Sequence, residues 1–356
     1  MHELCASESL SLESLNELFQ RYGLAANNDW NIKGRFFHSA IYNISVDEEI
    51  IQLLLEYFPG ALNDANNSTF EEFTPLQIAC QKENISFNII RLLIESSPDS
   101  LQIEHDDYGM PLHFLCRNHE VDKTAAIEIL QLFLERFPEA VRHRTYEGNL
   151  PILFASSVRS VQFCHMLIQA YPESVRLRND YGTLPLHEAC LNNDVATVEY
   201  LYNLYPDAIN QTSDEEERYA THDGISLYPI HCAILCHHER RYPNYDDADI
   251  VRFLMGCDPI VKSQKVEGKN LLHFACLLDL NVDFDYDDSD VEAGMRVIKA
   301  VYNADPGAIK DELFRSDLQR CREQVQSFIV IVEQTDRIYR LLKAYPSLVT
   351  NTDDSK

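Results

Sequence analysis

The chain has 356 residues, 45% of them hydrophobic, with only 11 glycines and 14 prolines; this suits two or three domains by length and excludes a disordered or collagen-like chain. Fifty-seven acidic residues oppose 30 basic ones, for a net charge of −27, so nucleic acid and membrane surfaces are excluded as general partners and basic patches are favoured. No apolar run approaches 18 residues, no secretory signal opens the chain, and the ten cysteines are therefore expected as free thiols in a reducing compartment, cytoplasm or nucleus.

In chain order, the first predicted element is a helix whose stripe of Leu12, Leu15, Phe19 and Tyr22 ends at Gly23. It makes residues 1–30 an N-terminal capping region. From residue 31 to about 310 a two-part phrase recurs. Its first part reads FFHSAI (36–41), FTPLQIAC (73–80), MPLHFLC (110–116), LPILFAS (150–156), LPLHEAC (184–190), YPIHCAI (228–234) and NLLHFAC (270–276). One slot in it holds His38, Gln77, His113, Leu153, His187, His231 and His273, at intervals of 39, 36, 40, 34, 44 and 42.

The second part is an apolar helical run closed by proline and a short extended segment. It reads LLLEYFPGAL (53–62), LLIESSPDSL (92–101), LFLERFPEAV (132–141), LIQAYPESV (167–175), LYNLYPDAI (201–209) and VYNADPGAI (301–309), with a degenerate copy at Asp258-Pro259. LLKAYPSLV (341–349) repeats it again, making 311–349 a degenerate C-terminal repeat or cap and 350–356 a disordered tail.

Each unit reads as two antiparallel helices, A and B, and a connecting finger. Pro75, Pro111, Pro151, Pro185 and Pro229 sit where a first helical turn tolerates the missing N–H. Val195, Val198, Leu201, Tyr202 and Tyr205 form one apolar face of a helix B, and the proline after Tyr205 stops it. Gly148, Gly182 and Gly224 supply turns before the next unit. A single helix pair cannot bury its own apolar face, so neighbours must stack. Each shared leucine or valine then contributes about 1.5–3 kcal/mol when fully buried.

The pattern resembles the ankyrin repeat, whose helix A carries Thr-Pro-Leu-His-x-Ala. Only Thr74 keeps the family's threonine; Met110, Leu150, Leu184, Tyr228 and Asn270 replace it, and helix B ends in Tyr-Pro or Phe-Pro. The resemblance implies an all-α, ankyrin-type helical repeat solenoid of about seven units with terminal capping helices. It also implies a protein–protein interaction module, an adaptor or scaffold that binds a protein or peptide on the concave face of fingers and helix A ends. No catalysis and no cofactor are expected, and the protein is expected to be a monomer.

His187 and Cys190, three apart on helix A, suggest a nucleophile pair, but their slots recur along the chain, so both are expected as packing residues. The apolar residue after the histidine slot, at Ile78, Phe114, Phe154 and Phe274, is likewise expected in the core. The alternative functional reading is metal binding around HCAILCHH (231–238), with Cys236, His237 and His238 as candidate ligands beside His231 and Cys232. DFDYDDSD (283–290) lacks the glycine and glutamate of a calcium loop and reads as an exposed acidic insertion.

The surface feature expected to bind a partner is RHRTYEG (142–148) followed by RLRNDYG (176–182). A period of two puts each arginine pair on one side of an extended segment. Stacking then aligns Arg142 and Arg144 with Arg176 and Arg178, beside Tyr146 and Tyr181, with Tyr108 one unit away. Arginine and tyrosine in such a row suit an acidic or carboxylate-terminated peptide.

Overall fold

The computed structural model describes residues 10–22, 37–43, 46–58, 62, 73–83, 86–214, 226–235, 247–277 and 288–311. These residues are mostly helical; the one ladder among them with two residues per strand is Ser213–Asp214 paired antiparallel with Ser226–Leu227. The chain divides into two compact units, Met1–Asp180 and Tyr181–Lys356. No described helix is long and apolar enough to cross a membrane.

In the first unit the helices are α1 (Leu12–Tyr22), α2 (37–42), α3 (Glu48–Tyr57), α4 (Pro75–Gln81), α5 (Phe87–Ser96), α6 (Pro111–Arg117), α7 (Lys123–Arg136), α8 (Pro151–Val158) and α9 (Val161–Ala170). Short helices α4, α6 and α8 each open on the expected proline. The longer helices α3, α5, α7 and α9 begin at side-chain caps: Asp47, Ser86, Asp122 and Ser160 each accept a backbone N–H of the first turn. For Asp122 these N–H bonds hold the carboxyl below the usual carboxylate range.

Two rows of contact result. The helices α4, α6 and α8 touch in succession, as do α3, α5, α7 and α9, and each short helix also packs on the longer one that follows it. The core lies between the rows: Leu76, Ile90, Leu112, Phe114, Leu130, Phe133, Ile152 and Phe163 are all buried. Helix α1 covers the start of the second row by packing on α3, with Leu15 and Phe19 buried and the Phe19 ring 4.2 Å from that of Tyr57.

The second unit repeats the scheme. Its helices are α10 (Pro185–Asn192), α11 (Val195–Leu204), α12 (Pro229–Leu235), α13 (Asp247–Cys257), α14 (Leu271–Leu277) and α15 (Asp288–Ala304). Helices α10, α12 and α14 touch in succession, and so do α11, α13 and α15. Val198 and Leu201 of the expected α11 stripe are buried, with Val195, Tyr202 and Tyr205 half-buried beside them.

One local expectation is corrected. The prolines after the longer helices do not begin extended chain; they open 3-10 helices at Pro98–Gln102, Pro138–Arg142, Pro172–Arg176, Pro206–Asn210, Pro259–Ser263 and Pro306–Lys310. The preceding residue is held out of the α region, as at Tyr205 with φ −145 and ψ 78, and the fixed φ of proline then suits a tighter turn. The extended segment starts only after that turn.

A set of side chains at the C-terminal ends of the short helices links them from behind. Lys82 donates to the Asn43 carbonyl, Asn118 to the Cys80 and Lys82 carbonyls at 2.9 and 3.1 Å, and Arg159 to the Leu115 and Val121 carbonyls. Of these acceptors, Cys80 and Leu115 lie in the last turns of α4 and α6, whose carbonyls have no partner within the helix, and Asn43 and Lys82 stand directly after α2 and α4.

Candidate partner-binding fingers

Three fingers are positioned from the first turn of the short helix behind them, through Gln77, His113 and His187. In α6 the His113 side chain folds back so that Nδ1 accepts the Met110 N–H at 3.1 Å, while Nε2 donates to the His143 carbonyl at 3.1 Å. In α10 His187 does the same, accepting from Leu184 at 3.2 Å and donating to Gln211 at 3.0 Å. Gln77 makes the equivalent pair with a carboxamide: Oε1 accepts the Thr74 N–H at 2.7 Å and Nε2 donates to the Ile103 carbonyl at 3.0 Å. Ile103, His143 and Gln211 each stand directly after a 3-10 helix, so the slot reads the same finger position each time. His38 donates instead to the Phe73 carbonyl, at 2.7 Å. Leu153, in the same slot, has no polar atom for either bond.

These bonds decide the chemistry of the His187–Cys190 pair. Both imidazole nitrogens are engaged with backbone, and burial pushes the Cys190 thiol up, away from the thiolate. Cys80 and Cys116 are pushed up by the same burial, against the opposing charge of Arg159. Ile78, Phe114 and Phe274 are buried and Phe154 is half-buried, so the apolar slot after the histidine packs into the core.

The finger at 143–149 turns tightly. Thr145 N–H donates to the Asn149 carbonyl at 3.0 Å and Gly148 N–H to the Thr145 carbonyl at 2.9 Å, with Gly148 at φ +75. A Cβ on Gly148 would stand 2.4 Å from Asp180 Oδ1, so only glycine allows the next finger to approach. That finger docks through the Asp180 N–H to the Glu147 carbonyl at 3.0 Å and the Asn179 amide to Asn149 Oδ1 at 2.9 Å.

The arginines expected to share one exposed side divide their roles. Arg144 Nη1 donates to the Gly148 carbonyl at 2.9 Å and the Arg178 carbonyl at 3.0 Å, bracing its own turn against the next finger. Arg142 closes the 3-10 helix instead of standing on extended chain; its guanidinium lies over the Tyr171 ring at 4.3 Å and meets Glu139 at 3.2 Å. Arg176 and Arg178 are exposed. Tyr146, at the turn, is 83% exposed. Tyr108 is 41% exposed, its ring 5.0 Å from His105 and 5.7 Å from Phe73. Tyr181 is half-buried and opens the second unit.

Two positively charged residues with structural work escaped the sequence reading. Arg117, at the end of α6, lies over the Tyr108 ring at 5.0 Å and the Phe154 ring at 4.3 Å, tying the finger at 105–109 to α8. Arg159 is the buried brace already described. Neither has a local pattern that marks its partners.

The candidate metal ligands Cys236, His237 and His238, the glycine at 224 and most of the acidic insertion lie outside the described residues, as do the C-terminal cap and tail. Among the described residues no group of three or more His, Cys, Asp or Glu side chains could hold a metal ion. His231 is buried, its ring 4.8 Å from Phe274, and burial pulls its imidazole down to about 3.

No protein-family model matches this sequence, and a search of curated proteins found no match.

Proposed function

We propose that this chain is an ankyrin-type helical repeat solenoid that binds a protein or peptide through its fingers, as a non-catalytic adaptor or scaffold. The observation that carries this reading is the finger at 143–149. Its base is fixed by His113, Arg144 and four backbone or amide bonds, yet its tip holds Tyr146 83% exposed. An exposed tyrosine on a turn whose backbone is already braced requires little further backbone ordering on binding, which favours it as an interface anchor. Arg176 and Arg178 give the adjacent surface its positive charge and suit a segment carrying carboxylates. The protein works as a monomer without a cofactor in this reading, in the cytoplasm or nucleus. The seven cysteines among the described residues, none in a disulfide, fit such a reducing compartment.

Affinity capture with the full chain tests it. Tyr146→Ala and the double variant Arg176→Glu, Arg178→Glu should each lose the captured partner while melting like the parent. Capture unchanged by both variants contradicts the finger as the binding surface.

A second reading, metal binding around His231–His238, draws on His231, whose Nδ1 and Nε2 are buried with no hydrogen-bond partner among the described residues. Elemental analysis of protein purified without added metal separates the two. One equivalent of zinc that is lost in Cys236→Ser favours the second; less than a tenth of an equivalent contradicts it.

A further inference from the structure

We propose that His113 is an acid-sensitive latch: a second proton on its imidazole releases the 143–149 finger from helix α6. The argument starts from hydrogen-bond direction. The Met110 N–H can only donate, so Nδ1, 3.1 Å away, must present its lone pair. Nε2 therefore carries the ring's one proton and donates it to the His143 carbonyl. A proton arriving at Nδ1 sets two N–H groups head to head and removes the acceptor for Met110.

The ring has no room to turn away. It is fully buried, and the Gly109 backbone passes so close that a Cβ there would stand 2.8 Å from Nδ1. The charged groups around it do not favour a second positive charge. Arg117 lies on its own helix, and the His143 ring on the finger stands 6.0 Å away. Glu104 is drawn to His143, at 3.3 Å, instead of to His113. Helix α8 offers only the Phe154 ring, at 6.1 Å. Burial, helped by His143 and Arg117 and opposed by the hydrogen bond to the His143 carbonyl, pulls the docked imidazole down to about 4.

The direction of the effect follows from linkage. A solvated histidine titrates near pH 6.5, so above that value the ring is neutral docked or undocked and the latch holds fully. As pH falls below about 6.5, the undocked ring takes up a proton that the docked ring refuses, and docking weakens until the pH nears 4. Gln77 is the internal control. It makes both bonds with a carboxamide that does not titrate in this range, so its finger has no such latch.

Hydrogen–deuterium exchange of the finger peptide in the full chain tests this at pH 7.5 and 5.0, corrected for intrinsic exchange. Protection of residues 143–149 in the parent should fall about 30-fold, the ratio linkage gives for a shift from 6.5 to about 4. His113→Gln should keep its protection within roughly threefold, and His165→Gln, an exposed histidine, should follow the parent. A parent finger equally protected at both pH values overturns the proposal, as does a His113→Gln finger as acid-sensitive as the parent. Should His113→Gln fail to fold at pH 7.5, the parent profile decides alone. The latch does not depend on what the finger binds.

Discussion

The base and the tip of the finger at 143–149 are two residues apart and are built on opposite terms. At the base, Arg144 donates to two carbonyls on two fingers, and the His143 carbonyl accepts the hydrogen bond from His113 Nε2. At the tip, Tyr146 is 83% exposed. An Arg-x-Arg-Thr-Tyr string therefore holds both a brace and an exposed tip, and residue type does not separate them. What separates them is whether a backbone carbonyl of the next finger lies within reach.

This contrast makes stability and binding separable by mutation. Removing the latch altogether should have the largest effect. His113→Ala strands the Met110 N–H and the His143 carbonyl and leaves a void, so it should cost about 3 kcal/mol in urea unfolding. Gly148→Ala places a methyl against Asp180 at a positive φ and should cost about 2 kcal/mol by the same measurement. Arg144→Ala removes a partly exposed brace and should cost about 1 kcal/mol, with Arg144→Lys recovering only part because one ammonium cannot copy the guanidinium geometry. Tyr146→Ala should change stability by less than about 0.5 kcal/mol while lowering partner affinity at least about tenfold in titration calorimetry. A Tyr146 variant that unfolds like the Gly148 variant breaks the distinction.

The helices were largely legible because their signals are local. Proline and apolar spacing placed the first turn of α4, α6, α8, α10 and α12, each of which begins at that proline. The Asp and Ser caps at 47, 86, 122, 160 and 194 carry an equally local signal that goes with them. The prolines at 98, 138, 172 and 206 misled only because a fixed φ fits a 3-10 turn as well as extended chain. The residues of the candidate site were legible, but the contacts that Arg142 and Arg144 make were not. Arg144 finds one acceptor 34 residues away, and Arg159 reaches back 44 residues to Leu115. Gln77 looked like a departure from the histidine slot, yet its carboxamide offers an acceptor and a donor where the imidazole offers Nδ1 and Nε2.

Residue-resolved amide exchange by NMR near neutral pH tests the braced-finger claim most directly. The Thr145, Gly148, Asn149 and Asp180 amides donate within or between fingers and should exchange at least about 100-fold more slowly than an unstructured chain, with Arg144→Ala lowering the protection at Asp180. Unstructured-chain exchange rates at all four amides in the folded parent would contradict it.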